Sequence, residues 1–367
     1  MKMNNHDQLT AILHHSIKLQ PRQQLIDLIK LIYQSEFGTG HLITEESSSL
    51  ERLKDEIHAH RNEPEPVTGR FTPLGNGLCR IHLAGIENTG ISASTVNRLC
   101  IWAASLVKGQ GLQFKEKLLG LRACLEATAC QSGLIELDRF LDAYDFETCP
   151  SFSHSTQYHE YYAPSYRVVT LDLWLYFDLF TQLDRLLQTE SSVNLAIDGL
   201  CGAGKSTLAQ LLQFVYSAQY SAQIIPMDHF FLPARLRTAE RLQEPGGNID
   251  YERFLAEVAY PLSESKQFSY HVFSCQSTSH NRKVTIKPGK LNIVEGSYSL
   301  HPRLRSLYNL KVFLTVDRDE QLRRLKNRSS EEQFFDFTEK WIPLENLYFD
   351  QLKIPQHSDL VLRSDRD

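Results

Sequence analysis

The chain has 367 residues, 42% hydrophobic and 23% charged, with a formal net charge of -5. At roughly 100–200 residues per domain, this predicts two or three domains with ordinary globular cores. The acidity speaks against a nucleic-acid partner, and seven cysteines without a Cys-x-x-Cys pair speak against a disulfide framework or a thiolate zinc site. No apolar run reaches the roughly 18 residues of a membrane span, and MKMNNHDQLT lacks the apolar core of a signal peptide, so a reduced, cytoplasmic chain is expected.

Residues 7–34, rich in Leu, Ile, Gln and Lys, read as two helices broken at Pro21. Ser48 and Glu51 have capping-box spacing and predict a helix over 49–60. Val96, Leu99, Ala103 and Leu106 share one helical face that stops near Gly109, and 112–130 and 134–145 read as two further helices. The stretches 37–44 and 61–93, rich in Gly, Pro and Asn, are expected to be loops. Residues 1–168 are thus expected to form a mostly α-helical domain. Within it, 150–168 is polar and aromatic and is expected to be irregular. An amphipathic helix over 170–188 follows, with 169–190 as a connection to a second domain, 191–367. There, strands predicted at 193–197, 223–227, 291–295, 311–316 and 359–363 alternate with helices at 205–216, 251–260 and 318–328. Such alternation predicts an α/β domain with a parallel sheet flanked by helices.

Gly199-Leu-Cys-Gly-Ala-Gly-Lys-Ser-Thr207 matches G-x-x-x-x-G-K-[ST] between a predicted strand and a predicted helix. Gly199, Cys201, Gly202, Ala203, Gly204, Lys205, Ser206 and Thr207 would wrap the phosphates of a nucleotide with inward N–H groups at a helix N-terminus. Lys205 would set its charge on the β/γ phosphates, and the Ser206 hydroxyl would ligate Mg²⁺. ATP and Mg²⁺ are the expected cofactors. Cys201, near the helix N-terminus, is expected to have a lowered pKa, which suits a redox sensor; a small residue that fits is the simpler reading.

Further elements follow in order. Ile224-Ile-Pro-Met-Asp228-His-Phe-Phe231 resembles the D-x-F-[YF] element of the uridine kinase family, and Asn248-Ile-Asp250 its N-F-D element. Leu291-Asn-Ile-Val-Glu295-Gly296 resembles its strand ending in Glu-Gly, Gln321-Leu-Arg-Arg324 with Arg328 its lid-entry arginines, and Asp359-Leu-Val-Leu its terminal strand. Residues 193–365 therefore resemble the P-loop kinase superfamily of uridine kinase and phosphoribulokinase. The resemblance implies that Asp228 takes a substrate proton or holds Mg²⁺ through water, that Glu295 helps hold Mg²⁺, and that Arg324 and Arg328 clamp phosphates. It also implies that Asp250 bonds a sugar hydroxyl and that Tyr270 and Phe273 stack on a base or pack an apolar acceptor. The sequence departs from the family in the lid, Ser329-Ser-Glu-Glu-Gln-Phe-Phe-Asp-Phe337, which lacks Gly and further arginines, and in Tyr270-His-Val-Phe-Ser-Cys275. The N-terminal half has no counterpart in simple uridine kinases.

In that half, His41, Asn76, Arg80, His154 and Arg167 fall in expected loops and are candidates for a second ligand pocket, with no metal-motif spacing among them. The expected function is an ATP-dependent small-molecule kinase whose acceptor is a metabolite hydroxyl, a nucleoside among the candidates. The alternatives are a nucleotide-gated switch or scaffold, and a bifunctional enzyme with a second active site in the N-terminal domain. The expected partner is a small-molecule hydroxyl acceptor, with no membrane or nucleic acid; a homo-oligomer is left open.

Overall fold

The computed structural model describes residues 5–38, 45–66, 68–127, 131–274 and 279–365. The chain divides into two compact units, Met1–Gln182 and Leu183–Asp367. Among the described residues no helix is long and apolar enough to cross a membrane.

The first unit is mostly helical. Helix Leu25–Phe37 is buried nearly all round, and its Leu28, Ile29, Ile32 and Tyr33 share a core with Phe114, Leu118 and Leu121 of helix Gly111–Ala127. Part of the expected loop 61–93 is instead a hairpin of β1 (Phe71–Gly75) and β2 (Leu78–His82), completed by β3 (Tyr166–Thr170) in the antiparallel order β1-β2-β3. Gly75, Asn76 and Gly77 all take positive φ, +84°, +53° and +72°, the tight reversal that Gly and Asn permit. Pro73 is tolerated because β1 is an edge strand. These Gly and Pro signals were turn and edge signals within a sheet.

Ser48 opens no helix: it lies inside helix Glu46–Ala59, whose N-cap is Glu45. The expected irregular stretch 150–168 contains helix Thr156–Tyr162, capped by Ser155, and most of β3. Nor is 170–188 one continuous helix. The β-branched run Val168-Val169-Thr170 pairs with β2. A short helix, Leu171–Leu175, ends at Tyr176 with φ -115° and ψ 23°, and helix Phe177–Thr189 follows.

The second unit holds β4 (Val193–Gly199), β5 (Ala222–Pro226), β6 (Phe268–Ser274), β7 (Ser279–Ile286), β8 (Leu291–Glu295), β9 (Leu310–Thr315) and β10 (Leu360–Arg363). Five of them form a parallel sheet in the order β10-β9-β4-β8-β5; β6 and β7 pair separately as an antiparallel hairpin absent from the sequence reading. The central strands are apolar because helices cover both faces of such a sheet, and β8 is buried along its whole length. Helix Lys205–Tyr216 buries Leu208, Leu211, Leu212 and Val215, spaced three and four apart. Helix Arg318–Arg328 follows β9. Helices Glu331–Asp336 and Ile342–Gln351 are joined through a π-helical turn, Phe337–Trp341. In a parallel sheet the carboxyl ends of the strands share one rim, where such folds bind ligands.

Candidate active site

At that rim, β4 turns into the loop before Lys205. Gly199 takes φ +140°, and a Cβ there would lie 2.0 Å from the Leu314 carbonyl oxygen of β9, so only glycine fits. Gly204 caps the following helix in the left-handed region, φ +91°. Behind the loop, Asp198 is fully buried and accepts from the N–H groups of Gly199 (2.7 Å), Tyr298 (3.1 Å) and Leu300 (2.8 Å) and from the Tyr348 hydroxyl (2.8 Å). Burial pushes its carboxyl up to about 6 against these donors and Lys205. Asp198 thereby ties the end of β4 to the turn after β8 and to helix Ile342–Gln351.

Lys205 Nζ donates to the carbonyls of Gly199 (2.7 Å) and Leu200 (3.0 Å) and to Ser297 Oγ (3.1 Å). Ser297 passes the chain on, donating to Glu345 Oε1 at 2.6 Å, while Glu345 Oε2 accepts from the Cys201 N–H at 2.9 Å. The Ser206 hydroxyl donates to Glu295 Oε2 at 3.0 Å. Burial raises the Glu295 pKa, and the nearby Asp228 carboxylate raises it further; Ser206 and Lys205 oppose. Asp228 itself is exposed, on a single 3₁₀ turn after β5.

Lys205, Ser206, Thr207, Asp228, Glu295 and Arg328 line one cavity of about 730 Å³, together with Cys201, Gly202 and Gly204 of the loop. The hydroxyl of Ser206 and the carboxylates of Glu295 and Asp228 are hard oxygen donors. Among the described residues no cluster of three or more His, Cys, Asp or Glu could hold a metal on its own. The hard oxygens of Ser206 and Glu295 fit Mg²⁺, which takes one or two protein oxygens and completes its shell with phosphates and water.

Arg324 is placed elsewhere. It bonds Glu320 Oε1 (3.0 Å), the Gly202 carbonyl (3.3 Å) and Ser364 (3.0 and 3.1 Å), bracing the loop from behind. Asp250 caps helix Tyr251–Phe254 by accepting from the Arg253 N–H at 3.0 Å. Tyr270 is buried with its hydroxyl 3.1 Å from His229 Nδ1, and Phe273 is buried beside Arg237. The lowered pKa expected for Cys201 is overturned: burial and the Glu345 carboxylate push its thiol well up, outweighing Lys205. Proximity to a helix N-terminus does not compensate for desolvation of a thiolate.

The sequence reading missed Asp198, Arg237, Ser297, Trp341 and Glu345, and quoted Asn248 in a motif without giving it a role. All but Asp198, which braces the loop, line the cavity. Asp198, adjoining the loop motif, and Asn248, in its own motif, carried local signals; the others are joined to the loop only through the fold.

In the first unit, His41 lies outside the described residues. Arg80 is buried and donates from Nε (3.0 Å) and Nη2 (2.7 Å) to Gln34 Oε1, with its guanidinium 4.5 Å above the Tyr166 ring. His154 joins the same network, Nδ1 2.9 Å from Asp27 and Nε2 2.6 Å from the Tyr166 hydroxyl. Arg80 borders a void of only about 20 Å³, the room of one or two waters. Asn76 lines a different cleft, of about 460 Å³, and donates to the Ser35 carbonyl. Arg167 pairs with Glu56 at 2.5 Å.

A parallel sheet flanked by helices, with this glycine loop after its central strand, is a P-loop α/β fold. No family model matches the chain, and no curated protein matches it. Among solved structures, a Bacillus stearothermophilus protein described as a possible uridine kinase is 21% identical, over 50% of this chain and 98% of its own, with a TM-score of 0.38. A Silicibacter sp. TM1040 protein described as a candidate fructose transport system kinase is 21% identical, over 49% and 94%, with a TM-score of 0.35.

Proposed function

We propose that the second unit is an ATP-dependent small-molecule kinase. One observation carries the reading: a phosphate-type loop, its lysine, a hydroxyl–carboxylate pair and an exposed carboxylate all line the same cavity. Lys205 and the loop N–H groups hold the phosphate chain. Ser206 and Glu295 hold Mg²⁺, which when bound neutralises charge on the phosphate oxygens. Asp228 accepts the proton of the acceptor hydroxyl as its oxygen bonds the γ-phosphorus; the bond from phosphorus to the β-bridging oxygen breaks and ADP leaves. Arg328 stabilises the charge that spreads over the transferring group. The acceptor is a hydroxyl compound of metabolite size, nucleosides included.

The test mixes the full chain with MgATP and a metabolite extract and follows ADP formation and the gain of one phosphate by mass spectrometry. Lys205→Ala should abolish turnover and weaken ATP binding. Asp228→Asn should lower kcat by about 10²–10⁴-fold with ATP affinity kept. Nucleotide binding without any phosphorylated product, or an unchanged kcat for Asp228→Asn, would overturn the reading.

A further inference from the structure

Away from the phosphate loop, the cavity wall carries Arg237, and the environment of this cation is unusual. Its guanidinium carbon lies 5.5 Å from the centre of the Phe231 ring, 5.7 Å from Phe273 and 5.7 Å from Trp341, and its Nε donates to the Leu232 carbonyl at 2.6 Å. Among the described residues no carboxylate lies within ion-pair distance of it; Asp336, which also lines the cavity, is not close enough. Aromatic faces hold a cation in place without using its N–H groups. The two terminal nitrogens, the fork that matches a phosphate or carboxylate, are therefore uncommitted within the described structure.

A second observation points the same way. Asn248 is 2% exposed and lines the cavity; its side chain meets the Tyr298 hydroxyl outside normal hydrogen-bond geometry, and at least one of the two N–H groups of its Nδ2 has no acceptor among the described residues. A buried amide donor left unsatisfied costs stability unless a ligand supplies an acceptor. Both donors line the cavity, whereas Asp250, which caps its own helix, does not. Of the four carboxylates that line the cavity, Glu345 is engaged by Ser297 and Cys201 and Glu295 by Ser206, Asp228 is the proposed base, and Asp336 lies beyond ion-pair distance of Arg237.

We propose that the acceptor of this kinase is an anion, a hydroxyl compound bearing a phosphate or carboxylate group that Arg237 and Asn248 receive. The inference rests on the kinase reading and narrows it: a neutral nucleoside offers these donors no charge. The aromatic rings orient Arg237, and the negative group anchors the acceptor so that its hydroxyl can approach Asp228.

Calorimetric titration of the full chain, with Mg²⁺ and saturating ADP filling the nucleotide site, tests this with matched probes: ribose 5-phosphate against ribose, 3-phosphoglycerate against glycerol, and uridine. At least one anionic probe should bind, at least tenfold more tightly than its neutral counterpart. Arg237→Met, which keeps the stem packed among the rings, should erase that preference, and Arg237→Lys should restore part of it. Asn248→Asp, isosteric but negative, should weaken the anionic probe by tenfold or more. ADP affinity should be unchanged in all three variants. Equal or tighter binding of neutral probes, a preference that survives Arg237→Met, or no anionic binding to protein that binds ADP would overturn the proposal. Failure of ADP itself to bind would instead overturn the kinase reading, and this proposal with it.

Discussion

Arg324 and Arg328 stand four residues apart on one helix yet do different work. Arg324 spends its guanidinium on Glu320, on the Gly202 carbonyl of the loop and on Ser364 after β10, whereas Arg328 lines the cavity with its guanidinium 5.6 Å from the Phe337 ring centre. Arg328→Ala is therefore expected to raise the barrier to transfer by about 2–4 kcal/mol, the size of losing one preorganised donor, with little change in unfolding midpoint. Arg324→Ala should show the reverse: a stability loss of about 1–3 kcal/mol from broken polar contacts and a kcat within about tenfold of the parent. Denaturant melts paired with steady-state kinetics on both variants check this. A large kcat loss in a fully stable Arg324→Ala would place that arginine at the reacting phosphate after all.

On helix Leu25–Phe37, Asp27 and Gln34 face a buried polar network rather than solvent. Its imidazoles resist protonation: His154 is pushed down to about 4 by burial and Arg80, with Asp27 opposing, and His82 to about 4 by burial, Arg80 and Arg70. Lys30, lowered to about 8 by burial and Arg80, does not titrate in the same window. A histidine whose folded pKa lies below its unfolded value of 6.5 contributes stability that is complete above that value and lost as pH falls toward 4. The first unit should accordingly lose on the order of 2 kcal/mol per histidine between pH 7 and 4.5. Denaturant unfolding across that range checks the loss, and His154→Gln should flatten the slope; equal slopes would show that His154 is not held neutral.

The same elements show what the sequence made legible. The phosphate loop and its flanking strand and helix were readable because their signal is local, a fixed spacing of glycines and a lysine at a strand end. The β1–β2 hairpin was hidden by its own turn, since Gly75, Asn76, Gly77 and Pro73 suggest irregularity until a partner strand is known. Arg80 and His154 were legible as site-like residues, but Arg80 is held by Gln34, 46 positions away, and His154 by Asp27, 127 positions away. Likewise the Ser297–Glu345 and Asp198–Tyr348 bonds join positions 48 and 150 residues apart, and no local pattern encodes them.

At the scale of the whole molecule, each unit has its own apolar core. Differential scanning calorimetry should resolve two transitions. MgATP should move only the one belonging to the second unit, with a stabilisation of about 2.7 kcal/mol at a hundredfold excess over Kd. Acid should move both, because burial and Arg303 also push His301 of the second unit down to about 4. A single transition raised by MgATP would show that the units unfold as one. The close approach of Gly199 to Leu314 has a consequence for how the protein is made. The strand that ends in the phosphate loop sits between β8 and β9, and its last residue pairs with one 115 positions later. At a synthesis rate of about 5–20 residues per second, the loop leaves the ribosome on the order of ten seconds before the strand that shapes it. The helices of the first unit are meanwhile built largely from neighbours in the chain. Nascent chains arrested before β9 emerges should hold a folded first unit beside a glycine loop that has no template, and nucleotide can assist folding only once β9 has emerged.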